Sequence, residues 1–481
     1  MRNSQLDVYF LAIGGTGMAP LAALLQRQGH RVRGVDGPLY PPMSTLLERE
    51  GITPHVGWDP AHLSPPPDLV IVGNAVPRAN PEAQEVERRG LARLSMPQAL
   101  ARFCLAGRRP LVVAGTHGKT TTTAMAAWVW HATGRDPGYL IGGLPKDLPG
   151  SFALGSGDRF IVEGDEYNAA YFDRGAKFLH YGPQTLILTS AEYDHADLYP
   201  TPDALYEAFS KLVELLPGDG RLIACGDWPK VREIAGRASC PVTFYGFGEG
   251  NDVRAVGEVT AGETGSRFHL IDPEAGQVEV LLPLWGEHNL TNALGVWAAA
   301  RADGLSVTEV GTALAGFHGV ARRLDVLGEA RGVTVIDDFA HHPTAVERTL
   351  SALRRRYPGR RLVALYEPRS LTAGRRFFQD PYLIAFRGAD RVLFAPVFHR
   401  ERLAPEDCLD LEGLAADLAA GGIEAILCAS YEEVLERATA QARPGDVVVT
   451  MSSGSFDGMP RKVLAGLAQP VLEHPAGGEG G

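Results

Sequence analysis

The sequence predicts an α/β fold made of three successive units, each with a mostly parallel sheet. Length is the first observation, because 481 residues exceed one ordinary core and suggest about three domains at roughly 150 residues each. The second observation is that short apolar strands alternate with helical patterns along most of the chain. The third is that a glycine-rich turn follows the opening strand of each of the first two units, as in nucleotide-binding folds.

Composition places the chain among soluble globular proteins. It is 45% hydrophobic and 21% charged, which excludes the disordered and collagenous classes. The net charge of -11 argues against a general affinity for nucleic acid or for an anionic membrane. The five cysteines have no C-x-x-C spacing, which favours reduced thiols. Since neither a leader pattern nor an apolar run of about 18 residues occurs, we expect a cytoplasmic protein with small-molecule partners.

The first unit, residues 1–107, begins like a nucleotide-binding βαβ unit. Its predicted elements are strands over residues 8–13, 31–35 and 68–72 and a helix over 18–28. The turn after the first strand offers backbone amides to a diphosphate, and Asp36 ends the next strand, where ribose or base recognition is usual. The G-x-G-x-x-G fingerprint is incomplete, because Ala12 and Ala19 interrupt it. A tight turn without a ligand and an NAD site of an oxidoreductase therefore stay open as alternatives.

The second unit, residues 108–321, carries the strongest motif, Val113-Ala-Gly-Thr-His-Gly-Lys-Thr-Thr-Thr-Thr123. Its glycines let backbone N–H groups approach a phosphate, Lys119 can reach the β and γ oxygens, and Thr120 can hold Mg²⁺. The loop is shorter than the strict P-loop spacing, because its first glycine is Gly115. We interpret it as an ATP site, the alternative being a glycine turn with a surface lysine. The unit's other predicted elements are strands over 111–114, 159–162, 185–188 and 221–224, an antiparallel insert over 252–282 and a helix over 289–302.

Acidic side chains follow two of these strands. Because the carboxyl ends of parallel strands face one crevice, we expect Glu163 to complete the coordination of Mg²⁺ beside the ATP loop. Asp165 and Glu166 are interpreted as solvated or as lying behind the metal ligands. His195, within the cluster Asp194-His-Ala-Asp197, is either a structural histidine or a further member of the site.

The third unit, residues 322–473, repeats the α/β pattern, and residues 474–481 are predicted to be a flexible tail. Its predicted strands cover residues 333–336, 361–366, 391–394, 424–427 and 446–449. Three more motifs are Gly286-Glu-His-Asn-Leu-Thr-Asn292, Arg322-Arg323 and Val335-Ile-Asp-Asp-Phe-Ala-His-His-Pro343. Each could be merely a capped element, but together they would surround a nucleotide shared between domains.

Taken in order, the six motifs resemble the ATP-dependent Mur ligases of peptidoglycan assembly, and the resemblance covers nearly the whole chain. It implies a Rossmann-like N-terminal domain for a UDP substrate, a central P-loop ATPase-like domain and a Rossmann-like C-terminal domain for an incoming peptide. It also implies a reaction in which a muramate carboxylate attacks the γ-phosphate of ATP and an amine then displaces phosphate. The products would be an amide, ADP and Pi, with Mg²⁺ as cofactor.

The resemblance carries roles over to individual residues. The implied catalytic residues are Lys119, Glu163 and His195. The implied metal ligands are Thr120, Glu163 and His195. The implied ATP-binding residues are Gly115, Thr116, His117, Gly118, Lys119, Thr120, Thr121, His288, Asn292, Arg323 and Asp338. The implied UDP-substrate residues are Gly14, Gly15, Thr16, Gly17, Asp36 and Asn74. The implied peptide-binding residues are His341 and Arg369.

Within the family, residues 40–47, 165–173, 177–181 and 367–370 resemble members that attach L-alanyl-γ-D-glutamyl-meso-diaminopimelate to UDP-N-acetylmuramate in recycling. Attachment of L-alanine in biosynthesis, and nucleotide binding without turnover, are the alternatives. We expect a monomer or a weak homodimer. Some Mur ligases carry a modified lysine after the Asp-His cluster, but Lys211 is off that register and is interpreted as a surface lysine.

Overall fold

The computed structural model describes residues 5–262 and 264–469, and the chain divides into two units. The first contains the chain up to Leu284 and His288–Val320, and the second contains Trp285–Glu287 and the chain from Ala321 onward. The predicted tail over 474–481 lies outside the described residues. No helix in the described part of the chain has the length and apolar character that a membrane crossing requires.

The first sheet of the first unit has five parallel strands in the order β3-β2-β1-β4-β5. Its strands are β1 Asp7–Leu11, β2 Arg31–Asp36, β3 His55–Val56, β4 Leu69–Val72 and β5 Arg93–Ser95. Its helices are α1 Met18–Arg27, α2 Met43–Arg49, α3 Pro81–Arg89 and α4 Met96–Leu100. All four residues of β4 are buried, which fits a central parallel strand covered on both faces.

The second sheet has ten strands in the order β17-β16-β15-β14-β13-β12-β6-β9-β7-β8. Its strands are β6 Arg109–Ala114, β7 Gly138–Leu140, β8 Phe152–Ala153, β9 Arg159–Gly164, β12 Thr185–Leu188, β13 Arg221–Cys225, β14 Val242–Gly246, β15 Val253–Gly262, β16 Gly265–Asp272 and β17 Gly276–Leu282. A separate hairpin is formed by β10 Asn168–Ala170 and β11 Asp173–Ala176. The helices are α5 Lys119–Ala132, α6 Pro202–Glu214, α7 Pro229–Ala235, α8 Glu287–Ala302 and α9 Val307–Ala315.

Strands β6, β9 and β12 are parallel neighbours in the middle of this sheet. The ATP loop follows β6, the first acidic segment follows β9, and the Asp-His segment follows β12. All three segments therefore emerge at the same edge, as the sequence predicts. The antiparallel insert is also confirmed, because β15, β16 and β17 pair antiparallel.

The sheet of the second unit has six strands in the order β18-β19-β23-β20-β21-β22, and β18 alone is antiparallel to its neighbour. Its strands are β18 Asp325–Ala330, β19 Val333–Asp338, β20 Leu362–Tyr366, β21 Arg391–Phe394, β22 Glu424–Leu427 and β23 Val447–Met451. Its helices are α10 Pro343–Arg356, α11 Gln379–Ala385, α12 Leu411–Ala420, α13 Tyr431–Ala440 and α14 Met459–Ala468.

Several predicted strand ends differ from the structure, and two of them have a clear physical reason. The strand predicted over residues 8–13 ends at Leu11, because Ala12 adopts a left-handed backbone with φ 63°. The strand predicted over 333–336 continues through Asp337 and Asp338, which pair in parallel with Thr450 and Met451. Apolar patterning ends a strand at its last apolar residue and cannot detect acids that stay within the sheet.

The predicted boundary at residue 107 falls inside the first unit. Leu100 and Leu105 before it share one buried apolar cluster with Leu140, Phe152 and Phe178 after it. The two sheets of this unit are thus packed through a common core. The division of residues 1–321 at this point stays a prediction.

A buried ion pair joins β9 to the chain just after α8. The Arg159 guanidinium donates from Nε to Oδ2 of Asp303 at 2.9 Å, and Trp130 donates from Nε1 to the same oxygen at 3.0 Å. Arg159 is 4% exposed, so loss of its partner leaves an uncompensated buried charge.

Asp303→Ala should lower the free energy of unfolding by about 3–5 kcal/mol, measured by urea denaturation. The matched control is Asp158→Ala, because Asp158 has an exposed side chain and pairs with Arg109 at 3.5 Å. That control should change the unfolding free energy by less than about 1 kcal/mol. Equal effects of the two substitutions would contradict the buried role of Asp303.

Candidate active site

The ATP loop connects β6 to α5 and depends on two glycines with left-handed backbones. Gly115 has φ 129° and Gly118 has φ 81°. A Cβ atom at Gly118 would lie 2.6 Å from Oδ1 of Asn292, so this amide is packed directly against the loop. Thr121, in the first turn of α5, is 7% exposed, whereas His288 is half-buried in the first turn of α8. Residues from both motifs therefore belong to the first unit.

The Lys119 side chain folds back over its own loop. Its Nζ atom donates to the carbonyl oxygens of Gly115 at 2.7 Å and Thr116 at 3.3 Å, and it lies 3.0 Å from Oε2 of Glu166. Burial alone would lower the pKa of Lys119, but the carboxylates of Glu166, Asp165 and Glu163 raise it. The ammonium group therefore stays charged.

Glu163 and Thr120 form the second part of the cluster. Thr120 donates from Oγ1 to Oε1 of Glu163 at 2.7 Å, and the Gly142 N–H donates to Oε2 at 2.8 Å. Burial, followed by the charge of Asp165, raises the pKa of Glu163. A hydroxyl and a carboxylate in contact are oxygen donors of the kind that Mg²⁺ prefers, so this pair fits the metal.

Glu166 occupies the centre of the cluster, and its interpretation as a solvated residue is wrong. Its side chain is 1% exposed, and Oε1 lies 2.8 Å from Nε2 of His195. Burial would raise the pKa of Glu166, but the Lys119 charge and the hydrogen bond with His195 lower it to about 2. Tyr199 donates from its hydroxyl to the Glu166 carbonyl oxygen at 2.6 Å, which fixes the turn.

His195 is a member of the cluster rather than an isolated structural histidine. Its backbone is left-handed, with φ 57°, and its ring centroid lies 4.6 Å from that of Tyr167. Burial would lower the pKa of His195, but its hydrogen bond with Glu166 and the charge of Asp194 raise it. A metal binds the neutral imidazole, so protonation of His195 and coordination of a metal by this ring would compete.

Hydrogen bonds to the segment after β12 hold the first half of the ATP loop. Thr116 donates from Oγ1 to the Glu192 carbonyl oxygen at 2.7 Å and accepts from the Glu192 N–H at 3.0 Å. Nε2 of the His117 ring lies 2.7 Å from the Glu192 carboxylate, and the backbone N–H of His117 donates to Oγ of Ser190 at 2.9 Å. The segment after β12 thus determines the shape of the loop.

The predicted UDP-substrate residues lie at the ends of the neighbouring strands β1, β2 and β4. Asp36 accepts from the N–H of Gly14 at 2.7 Å and of Gly37 at 2.8 Å, so this carboxylate braces the first loop. Thr16 and Asn74 are exposed. The other two predicted residues of this loop are Gly15 and Gly17.

Four predicted residues lie in the second unit, where Asp338 is a brace. It is 5% exposed and accepts from the Leu324 N–H at 2.6 Å and the Ala340 N–H at 2.8 Å. Burial raises the pKa of Asp338. Arg323 stacks over Phe339, with 4.4 Å from Cζ to the ring centroid.

His341 and Arg369 follow β19 and β20 in the second unit. Tyr366 and Tyr382 both donate from their hydroxyls to the His341 carbonyl oxygen, at 2.8 Å and 2.7 Å. Arg369 lies 3.3 Å from Glu367 and stacks over Phe398.

Of the predicted catalytic and metal-binding residues, the structure brings Lys119, Thr120, Glu163 and His195 together within the first unit.

Comparison with known proteins identifies the family. The Mur ligase family, catalytic domain, matches residues 7–108, the Mur ligase middle domain matches 113–300, and the Mur ligase, glutamate ligase domain, matches 322–454. The UDP-N-acetylmuramate--L-alanyl-gamma-D-glutamyl-meso-2,6-diaminoheptandioate ligase of Escherichia coli K12 is 39% identical, over 96% of this chain and 99% of its own. The chain belongs to the Mur ligase family.

Other Mur ligases share its length and fold. The UDP-N-acetylmuramate--L-alanine ligase of Variovorax paradoxus is 35% identical over 96% of both chains. The crystal structure of a murein peptide ligase from Psychrobacter arcticus superposes with a TM-score of 0.72 at 33% identity, covering 97% of this chain and 99% of that one. The predicted three-domain Mur ligase architecture is confirmed, and this Mur ligase is an ATP-dependent, ADP-forming peptide ligase.

Glu166 is the residue whose place in the site of this Mur ligase sequence reasoning left open. Glu163 near the end of β9 and Asp165 and Glu166 just after it are three acids within four positions, and nothing in their chemistry separates Glu166 from the others. Asp165, two residues from Glu163, instead contacts Lys177 at 3.3 Å. The turn after Gly164 makes the distinction, and apolar patterning contains no signal for it.

Glu166→Gln should lower the pKa of His195. The substitution removes the Glu166 charge that raises this pKa, so Asp194 alone opposes burial and the Lys119 charge, both of which lower it. Histidine resonances followed by NMR through a pH titration measure the change. Asp197→Asn is the control, because Asp197 is exposed and its loss should move the midpoint much less. An unchanged His195 midpoint in Glu166→Gln would contradict the pairing.

Proposed function

We propose that this chain joins L-alanyl-γ-D-glutamyl-meso-diaminopimelate to the muramyl carboxylate of UDP-N-acetylmuramate, with cleavage of ATP to ADP and Pi, in the recycling of peptidoglycan. The observation that carries the ligase chemistry is the buried cluster of Lys119, Glu163, Glu166 and His195 at one edge of three adjacent strands. The tripeptide acceptor is supported by the relative from Escherichia coli, which is named as the ligase for this tripeptide.

The chain's own residues would act mainly by binding and by electrostatic stabilisation. Lys119 would exchange its carbonyl partners for β and γ oxygens of ATP, and the N–H groups at the start of α5 would face the same phosphates. The muramyl carboxylate would attack the γ-phosphorus, the bond from this phosphorus to the β–γ bridging oxygen would break, and ADP would leave, which gives an acyl phosphate. The peptide amine then attacks the acyl carbon, phosphate leaves, and the amine proton passes to solvent or to a base at the site.

Thr120 and Glu163 are the residues that we propose to hold Mg²⁺ on ATP, and His195 is proposed as a ligand of a second ion. A bound divalent cation would supply neutralisation of charge on the phosphoryl oxygens. Glu166 would keep Lys119 oriented towards the loop until the nucleotide binds. Loop residues 14–17 with Asp36 and Asn74 are proposed to bind the UDP part.

The acceptor side is assigned to His341 and Arg369. A tripeptide brings more than one carboxylate, and a guanidinium can bind a carboxylate through two parallel hydrogen bonds. Both residues follow strands of the second unit.

ATP and UDP-linked precursors are cytoplasmic metabolites, which supports the predicted cytoplasmic location. A monomer or weak homodimer stays a prediction.

Attachment of L-alanine is the second candidate function. It is supported by relatives that are named as L-alanine ligases and that are 33–35% identical over 96% of this chain. Nucleotide binding without turnover and an NAD-dependent reaction would give no ADP release that depends on an amine acceptor. Measurement of ADP formation against a panel of amines therefore separates the two ligase functions from each other and from both of these alternatives.

Lys119→Ala should keep the fold and reduce ADP release by about a hundredfold or more, because a charge that stabilises the transferred phosphoryl group is removed from a water-poor site. A coupled assay of ADP formation with both substrates measures the loss. Lys211→Ala is the control, since Lys211 is an exposed residue of α6 that lies 3.9 Å from Glu207. Unchanged turnover in Lys119→Ala would remove the ATP-loop assignment.

The wild-type enzyme should prefer the tripeptide to L-alanine by about ten- to a hundredfold in kcat/KM, because a short acceptor lacks the additional carboxylate that we propose Arg369 to bind beside Glu367. Arg369→Ala should narrow this ratio. Arg461→Ala, at an exposed arginine of α14, should leave it unchanged. If L-alanine is the equal or better acceptor for wild type, the enzyme belongs to the biosynthetic branch.

A further inference from the structure

The guanidinium of Arg369 is held in one place by groups on three sides. Its Nη1 lies 3.3 Å from Oε1 of Glu367, and its Cζ lies 3.9 Å from the ring centroid of Phe398. Glu367 is fully buried and also accepts hydrogen bonds from the hydroxyls of Tyr431 and Ser452. The carboxylate is therefore fixed, and it fixes the arginine in turn.

The remaining side is the backbone of Gly454, in the loop after β23. A Cβ atom at this position would overlap Nε, Cδ and Cζ of Arg369, all closer than the 3.0 Å that Cβ contacts keep. Gly454 does not have a left-handed backbone, so no backbone strain requires glycine here. The structure therefore explains glycine at this position by the space that the Arg369 side chain occupies.

The loop cannot easily shift to make room for a side chain. The Gly454 N–H donates to Oγ of Ser452 at 2.9 Å, and its carbonyl oxygen accepts from Nη2 of Arg322. Arg322 also donates to the Ser452 carbonyl oxygen at 2.9 Å. Because the backbone is held on both sides, a methyl group at position 454 must displace the flexible arginine instead.

We propose that Gly454 is a positioning residue for acceptor specificity, because only glycine leaves the Arg369 guanidinium room beside Glu367 and Phe398. This inference rests on the proposed function, in which Arg369 binds a carboxylate of the peptide. An alanine at position 454 would drive the guanidinium out of this position and so impair recognition of the longer acceptor. The ATP loop and the proposed UDP-substrate residues lie in the first unit, so the KM values for ATP and UDP-N-acetylmuramate should not change.

The test compares kcat/KM for the tripeptide and for L-alanine in the full chain. Gly454→Ala should lower the preference for the tripeptide by about ten- to a hundredfold, as Arg369→Ala does, with the KM values for ATP and UDP-N-acetylmuramate unchanged. Ser455→Ala is the control, because its exposed side chain is in the same loop, and it should retain the wild-type ratio.

The double variant Gly454→Ala with Arg369→Ala decides the mechanism. Once the arginine is absent, the added methyl group meets no guanidinium, so the double variant should equal Arg369→Ala in both acceptor ratio and melting temperature. If Gly454→Ala is poorly folded, recovery of its melting temperature in the double variant would still support the proposal. Additive losses, or no recovery, would overturn it.

The same experiment separates the role of Arg369 from that of Gly454. If Arg369→Ala leaves the acceptor ratio at its wild-type value, the proposed role of Arg369 fails. If Arg369→Ala narrows the ratio but Gly454→Ala does not, the role of Arg369 stands and the inference about Gly454 alone is wrong.

Discussion

One buried carboxylate paired with a lysine and a histidine organises the candidate active site. Glu166 contacts Lys119 at 3.0 Å and His195 at 2.8 Å, and these three residues follow three neighbouring strands. An unpaired charge at this depth would cost several kcal/mol, about 3–5 when one partner of a buried pair is lost. The ATP loop, the acidic turn and the Asp-His turn are therefore bound to one another by charge as well as by the sheet.

This pairing also contributes to the shape of the ATP loop. Lys119 donates to the carbonyl oxygens of Gly115 and Thr116, so its positive charge is surrounded by oxygen atoms of the protein. Phosphate oxygens that enter the loop replace one set of oxygen partners with another, and the lysine does not have to leave water in that step. A preorganised cation of this kind stabilises charge in the transition state with little reorganisation.

Sequence reasoning recovers the features that apolar patterning and the parallel sheet determine. The strand at Thr185–Leu188 is apolar after its first residue and has the predicted bounds, and the position of Glu163 at the edge of the site results from strand order. The burial of Glu166 and the left-handed backbone of His195 depend on turns. Turn geometry is decided by single contacts, such as the Tyr199 hydroxyl on the Glu166 carbonyl oxygen, which no periodicity encodes.

Specificity and chemistry are supported by different parts of the chain. The phosphate-binding cluster is built on the second sheet of the first unit, whereas Glu367, Arg369 and Gly454 are built on the sheet of the second. If Arg369 binds the acceptor as we propose, substitutions in the second group would change the acceptor preference while leaving the Lys119 cluster intact. Relatives that are named for different acceptors are 39% and 35% identical to this chain over nearly the same length. Overall sequence similarity therefore separates the two activities only weakly. On our proposal, the space around the Arg369 guanidinium is a more direct criterion, because it would determine whether a second carboxylate of the acceptor can be bound.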